Sequence, residues 1–538
     1  MREFCSADTV NCGTSSTPTV RLGDGMDNVA ELLISVRSKG IEIWVADGRL
    51  HYRIPKDRVA HEELEALRKS KDKIIALLQM SVRTDLLQPR PVHRPRSDIA
   101  PLAFSQIAHW NMYNLGTRRV IRGVAQAVQI QGIIDSHLLQ DSVNRIVRRH
   151  DALRTQIVRA GEIPSQKIVE HAGCSVRVED LSKMAGHLRD DWARHVIGNV
   201  ILELIDVSSD PLTVILLLRR SREDHILFTT MEHSVSDGVS AGIFVNELLT
   251  AYEQEALGCE ESLPVESIQF SEYAAWQRSV EPVLYEQRGL YWYTRLCGCD
   301  RVSFPQSVPE AEWESSGWSR LPIYIEKELK EMLSTWCRLH KTTLVMSVLT
   351  AFSTLIFKWC GVRDTVIPFQ YDGRSSTLLS GTIGYVAYPL YLRVELAPED
   401  TFVDLLSKLT HEFYSAHQHA DLSYLESRNP RAGFTRNALF NWIPQRMPDD
   451  RSTYSRRGDN HLMVSRFAFE HPGLKTLDRD TEPMIGLSDL GDCIIGGINF
   501  SRRSQSIKSM ERFALNLKAI LRLLIEDPKR NINAVALF

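Results

Sequence analysis

Between Ile226 and Ser240 the chain reads Ile-Leu-Phe-Thr-Thr-Met-Glu-His-Ser-Val-Ser-Asp-Gly-Val-Ser, and its period changes midway. The apolar run up to Met231 has the character of a buried strand, whereas Phe244, Leu248 and Leu249 recur at helical spacing beyond Asp237-Gly238. A chain that passes from strand to helix over so few residues puts His233 at the strand exit and Gly238 at the start of the helix. There the imidazole can reach a cavity. The glycine permits close backbone approach, and its N–H can face developing negative charge. Asp237 fits the helix N-cap position. An isolated His-x-x-x-Asp-Gly is a weak signal, because Asp-Gly turns are common, so its meaning depends on the rest of the chain.

At 538 residues the chain exceeds one ordinary core, and roughly three folding units are expected. A net charge of −3 lacks the basic excess that nucleic acid or an anionic membrane surface would favour. The nine cysteines form no framework, and the close pair Cys297 and Cys299 lacks a zinc-site spacing. Free or buried thiols in a reducing cytoplasm are expected. No apolar stretch of about 18 residues and no signal-peptide core are present. The run from Val214 to Leu218 reads as a buried strand.

Residues 1–26, rich in Ser, Thr, Gly and Asp, read as a flexible leader, with Met26 an alternative start. In 27–82, Val29, Leu32, Leu33 and Val36 share a helical face, and Gly40 fits a helix C-cap. Two alternating runs between Ile41 and Ile54 then flank Asp47-Gly48, a strong hairpin signal. A second helix follows, with Leu64, Leu67, Ile74, Ile75 and Leu78 on its apolar face. Pro89, Pro91 and Pro95 mark 83–98 as an extended linker. From 99 onward helical and strand patterns alternate, as in layered α/β folds. A change of character near 276–320 divides the remainder into lobes at 99–275 and 276–538.

The helix–hairpin–helix segment resembles the TubC-type docking domains at the N-termini of assembly-line proteins. Gly40-Ile41, Trp44, Gly48-Arg49-Leu50, Tyr52, Pro55-Lys56 and the run Lys73 to Leu78 carry the likeness. The resemblance implies that the hairpin edge receives a short linear segment from the C-terminus of an upstream carrier-bearing protein. An exposed strand edge can accept a peptide in this way. Arg49, His51, Arg53 and Lys56, with Trp44 beside them, would attract an acidic tail. The bland alternative is a solvated mini-domain with a basic face and no partner.

The remainder resembles the condensation domains of non-ribosomal peptide synthetases. The segment around His233 is similar to their HHxxxDG motif, and further motifs follow in order. Pro101 to Trp110 resembles the opening motif, Arg149 to Thr155 the RHExLRT motif, and Phe270 to Gln277 the YxDFAxWQ motif. Asp372-Gly373-Arg374-Ser375, with Ile383-Gly384-Tyr385 and Pro389-Leu390, resembles the GRS…IGxFVNxLPL block, and Arg436 to Phe440 the late RNPLF motif. The resemblance implies an α/β fold of two chloramphenicol-acetyltransferase-like lobes in a V, with a tunnel between them. It implies His233 and Gly238 as catalytic residues, with Asp237, Arg374 and Arg154 structural, Asp237 pairing with Arg374. Glu232, Ser236, Val239 and Tyr385 would lie beside the substrate. No cofactor of the chain's own is implied, since phosphopantetheine would arrive on the partner carrier protein. A monomer is expected.

The sequence departs from the family pattern at three places. Glu232 stands where the first motif histidine would be, Val239 where tryptophan is frequent, and Tyr385-Val-Ala-Tyr388 replaces the usual FVN. These departures point to an unusual acceptor or to lost activity. His417-Gln-His419-Ala-Asp421 imitates a metal motif, but no further ligand cluster accompanies it, and it falls at a family motif position. No GxSxG, P-loop or GxGxxG element is present. Three readings remain: a condensation enzyme, a non-catalytic relative that recruits a tailoring enzyme, and an epimerising relative. The chain shows no adenylation, carrier or thioesterase segment. The expectation is therefore acyl transfer from a separate upstream carrier to a carrier-bound or free hydroxyl or amine acceptor, as in chain-releasing condensation enzymes.

Overall fold

The computed structural model describes residues 42–46, 49–53, 61–72, 74–75, 98–113, 119–120, 123–160, 163–170, 173–258, 267–280, 288, 291–292, 295–296, 298–308, 318–420, 438–443, 452–455, 461–467, 469 and 482–538. The chain divides into two compact units, Met1–Ser81 and Val82–Phe538.

In the first unit, strand Glu42–Ala46 pairs antiparallel with Arg49–Arg53. Ala46 faces Arg49, so residues 47–48 make the connection, as the Asp-Gly pair dictates. His51 and Tyr52 are exposed on the second strand. Helix His61–Lys69 follows, and Leu67 and Ile74 are buried. The helix expected around Val29–Val36, and the side chains of Trp44, Arg49, Arg53 and Lys56, lie outside the described residues.

The second unit is built on two six-stranded mixed sheets. The first has the order Ser452–Ser455, His461–Arg466, Val124–Gln131, Asp224–Met231, Thr213–Arg219, Val176–Asp180. Its central hairpin, Thr213–Arg219 with Asp224–Met231, is buried almost throughout, which is why both strands read as continuous apolar runs. Helices Ser136–Arg149 and Gly238–Leu257 cover one face and share a core with Val128, Ile215 and Leu227. The second sheet has the order Trp318–Ile325, Ile494–Ser501, Met484–Asp489, Phe440–Trp442, Asp364–Tyr371, Tyr388–Glu395. Helix Leu344–Cys360 is buried along most of its length against it, beside helices Phe402–Gln418 and Ile507–Glu526. Among the described residues no single helix is long and apolar enough to cross a membrane.

The fold does not divide at 275/276. That cut falls inside helix Phe270–Ser279. Strands Ser452–Ser455 and His461–Arg466, late in the sequence, extend the first sheet through the pairing of His461–Arg466 with Val124–Gln131. The segment 372–387, which links two strands of the second sheet, also buries Leu379, Ile383 and Val386 in the first core. Backbone pairing and burial of a loop's apolar face join the two halves, and neither follows chain order.

That loop is seated by close contacts. A side chain at Gly384 would overlap the Phe270 ring, and Gly373 combines a φ of 69° with a backbone that abuts the Val386 carbonyl. Thr382 Oγ1 donates to the Ile268 carbonyl at 2.7 Å. Gly384→Ala is therefore expected to destabilise by about 1–3 kcal/mol through overpacking. A fall in the urea midpoint at unchanged slope would register it.

Candidate active site

Strand Asp224–Met231 ends one residue before Glu232, which caps a short 3-10 turn, His233–Val235. Ser236 closes the turn by donating to the Glu232 carbonyl at 2.8 Å. Asp237 then caps helix Gly238–Leu257 in a capping box with Ser240. Local hydrogen bonding thus fixes the strand–turn–helix path of the motif.

Asp237 is the hub that ties this path to the 372–387 loop. Arg374 grips its carboxylate with both terminal nitrogens, at 2.8 and 3.0 Å. Ser240 N and Oγ donate at 2.9 and 2.8 Å, and the amides of Val386 and Ala387 each donate at 3.1 Å. Both charged side chains are fully buried. Burial alone would raise the Asp237 pKa, but the guanidinium and these donors outweigh it and hold the carboxyl below its ordinary 3.8. Arg154 serves a different local frame. It bonds Asp151 at 2.8 Å and the carbonyls of Val147 and Val169 at 3.1 and 2.9 Å.

His233 is half-buried, and its Nδ1 is buried with no hydrogen bond of ordinary geometry. Tyr385 packs on the ring at a centroid distance of 4.4 Å, tilted by 48°. His109, from helix Phe104–Tyr113, lies 5.6 Å away on centroids. Burial, and then the neighbouring His109, push the His233 pKa below 6.5, against the opposing pull of Glu232 and Asp237. Gly238 is exposed, and a Cβ there would meet nothing within 4 Å.

Glu232 is buried and fully engaged. Oε1 meets His109 Nε2 at 2.9 Å, while Oε2 accepts from the Ser234 amide at 2.5 Å and from the Ser234 hydroxyl. Burial would raise its pKa, but His109 and the Ser234 donors bring it below 4.5. His109 is the site residue that sequence reading missed. The available signal was Glu232 itself, a carboxylate at a buried turn that needs a cationic or donor partner. Ser236 and Val239, expected beside the substrate, are buried: Ser236 donates within the turn, and Val239 packs in the first core. His417 contacts the Tyr371 hydroxyl at 3.1 Å, and His419 stacks on Tyr291 at 3.6 Å. Asp421 lies outside the described residues.

Two mixed sheets, joined through a buried aspartate–arginine pair next to a strand-exit histidine, define an α/β protein of the chloramphenicol-acetyltransferase-like class. The chain belongs to the condensation-domain family: the family model for the condensation domain matches residues 96–537, and that for the TubC N-terminal docking domain matches residues 29–79. Members of this family carry out acyl transfer in non-ribosomal peptide synthetases. A similar curated protein is a linear gramicidin synthase of Brevibacillus parabrevis, 28% identical over 340 residues. The match covers 62% of this chain but only 7% of that relative. Among solved structures, the condensation domain that mediates chain release from the enacyloxin polyketide synthase aligns with a TM-score of 0.65 at 19% identity, over 93% of this chain and 97% of that one. The X-domain from teicoplanin biosynthesis aligns with a TM-score of 0.68 at 18% identity, over 84% and 100%. At these identities the structural likeness establishes the fold.

Proposed function

We propose that this chain transfers an acyl group from a carrier-protein phosphopantetheine thioester to a hydroxyl or amine, with His233 as the proton-accepting group. The observation that carries this reading is His233 itself. It is held half-buried at a strand exit with Nδ1 turned into protein, which leaves Nε2 for a substrate. The acceptor's oxygen or nitrogen attacks the thioester carbonyl, and Nε2 takes its proton. The C–S bond then breaks as the C–O or C–N bond stands, and the proton passes to the departing thiolate. The open space at Gly238 gives reactants room next to a helix N-terminus. Holding both substrates in line supplies a further share of the rate, up to about 7–11 kcal/mol in good intramolecular cases.

The match to the docking family supports delivery by a separate carrier protein bearing a short acidic tail. We extend the reading to chain release onto a free or carrier-bound small acceptor. Glu232 at the first motif position favours a second reading, a non-catalytic module that only binds a carrier and a tailoring enzyme. Intact-protein mass spectrometry separates the two. An acylated carrier protein, incubated with this chain and a panel of alcohols and amines, is expected to lose its acyl mass as the matching ester or amide appears. A carrier that stays fully acylated with every nucleophile while still binding the chain would overturn the catalytic reading.

A further inference from the structure

We infer that His109, tethered by Glu232, is a positioning residue for acyl transfer: it packs beside the His233 ring together with Tyr385, and so fixes the imidazole that takes the proton. This inference rests on the acyl-transfer reading above.

No other residue fixes the His233 imidazole through Nδ1, which meets no hydrogen-bond partner of ordinary geometry and is drawn only to its own backbone. Its orientation must come from what surrounds the ring. Tyr385 packs at 4.4 Å, His109 at 5.6 Å, and Tyr385 meets His109 edge-on at 6.0 Å, so the three rings form one mutually contacting cluster. Helix Phe104–Tyr113 anchors that cluster at both ends of its contact. Ser105 Oγ donates to the Tyr385 carbonyl at 2.7 Å, and His109 Nε2 reaches Glu232 at 2.9 Å. Glu232 in turn holds the turn that carries His233, through the Ser234 amide and hydroxyl. One buried carboxylate therefore connects the backbone under His233 to the ring beside it. The carboxylate at the first motif position and a histidine on the facing helix act as a unit.

Charge follows from the same arrangement. The groups around His233 are His109 from the helix, Glu232 and Asp237 from its own turn, and Tyr385 from the loop. The neighbouring His109 disfavours a cation on His233, whereas its own backbone, Glu232 and Asp237 favour it. Asp237 is committed to Arg374. The His109–Glu232 pair is thus the adjustable part.

The test is an NMR titration of the His233 imidazole in the full-length protein, with no substrate, alongside the pH profile of kcat/KM. Replacing the neighbouring imidazole with His109→Gln or His109→Asn is expected to raise the His233 midpoint. Removing the carboxylate with Glu232→Gln is expected to lower it. The double variant should fall short of the sum of the two single effects on kcat/KM, because each single change already breaks the pair. Midpoints that coincide with the parent's in all three folded variants would overturn the inference, even if activity fell. The titration needs no turnover, so an inactive parent would sink the functional reading while leaving this one decided.

Discussion

Replacing Asp237 with asparagine is expected to cost about 3–5 kcal/mol of stability, because it strands a buried guanidinium. The substitution keeps the size of the side chain and much of its capping capacity. What it removes is the charge that Arg374 grips with two nitrogens at 2.8 and 3.0 Å. Arg374 stays bonded to the carbonyls of Thr382 and Asp372, so it has no low-cost route to water. The effect spreads beyond one pair, since the same carboxylate holds the amides of Val386 and Ala387 and hence the loop that carries Tyr385. Arg374→Gln should cost a similar amount, and the double variant less than the two together. Urea denaturation of the three proteins measures this, and a loss under about 1 kcal/mol for Asp237→Asn would show that the pair contributes no more than a surface contact. The pH dependence has a definite sign. The folded-state pKa lies below the ordinary 3.8, so the stabilisation is present above that value and is lost as pH falls through the folded one. The parent should therefore shed stability in acid that Asp237→Asn never had.

His233→Ala is expected to lower kcat/KM by about 10²–10⁴-fold with an alcohol acceptor, the usual range for loss of a positioned proton acceptor. Amide formation should fall less, because an amine attacks without prior help and needs only to lose a proton afterwards. Folding should persist, since the half-buried side chain makes no hydrogen bond of ordinary geometry to another residue through Nδ1. In the parent, the acid limb of kcat/KM should lie below pH 6.5, because burial and His109 favour the neutral imidazole. Paired rates with matched amine and alcohol acceptors, across pH, check both statements. Equal losses on the two acceptors would remove proton transfer from the role of His233, and an unchanged rate on both would remove His233 from the site.

Much of the local structure was legible because each piece is decided within a few residues. The apolar runs at Val214–Leu218 and Ile226–Met231 form the paired strands Thr213–Arg219 and Asp224–Met231, and Asp237 caps the helix that the Phe244, Leu248 and Leu249 spacing predicts. The partnership of Asp237 with Arg374 came from family resemblance, since nothing in the spacing of two residues 137 apart selects it. The pairing of Glu232 with His109 was not legible by either route. It joins residues 123 apart, and although His109 lies within the segment that resembles the opening motif, nothing in that segment selects Glu232 as its partner. The same holds for strand His461–Arg466, whose main-chain pairing with Val124–Gln131 and burial of Leu462 and Val464 in the first core involve residues more than 300 positions away along the chain.

The sequence by itself determined the strand, the turn and the helix that present His233, and the hairpin register of the first unit. Propensity, capping and side-chain period act over one or two turns, and a linear pattern records them directly. Tertiary structure alone decided which imidazole answers Glu232, how the 372–387 loop plugs the first core, and where the late strands attach. Those outcomes depend on which groups lose water together when the chain closes, and desolvation is a property of the assembled neighbourhood rather than of any stretch of residues.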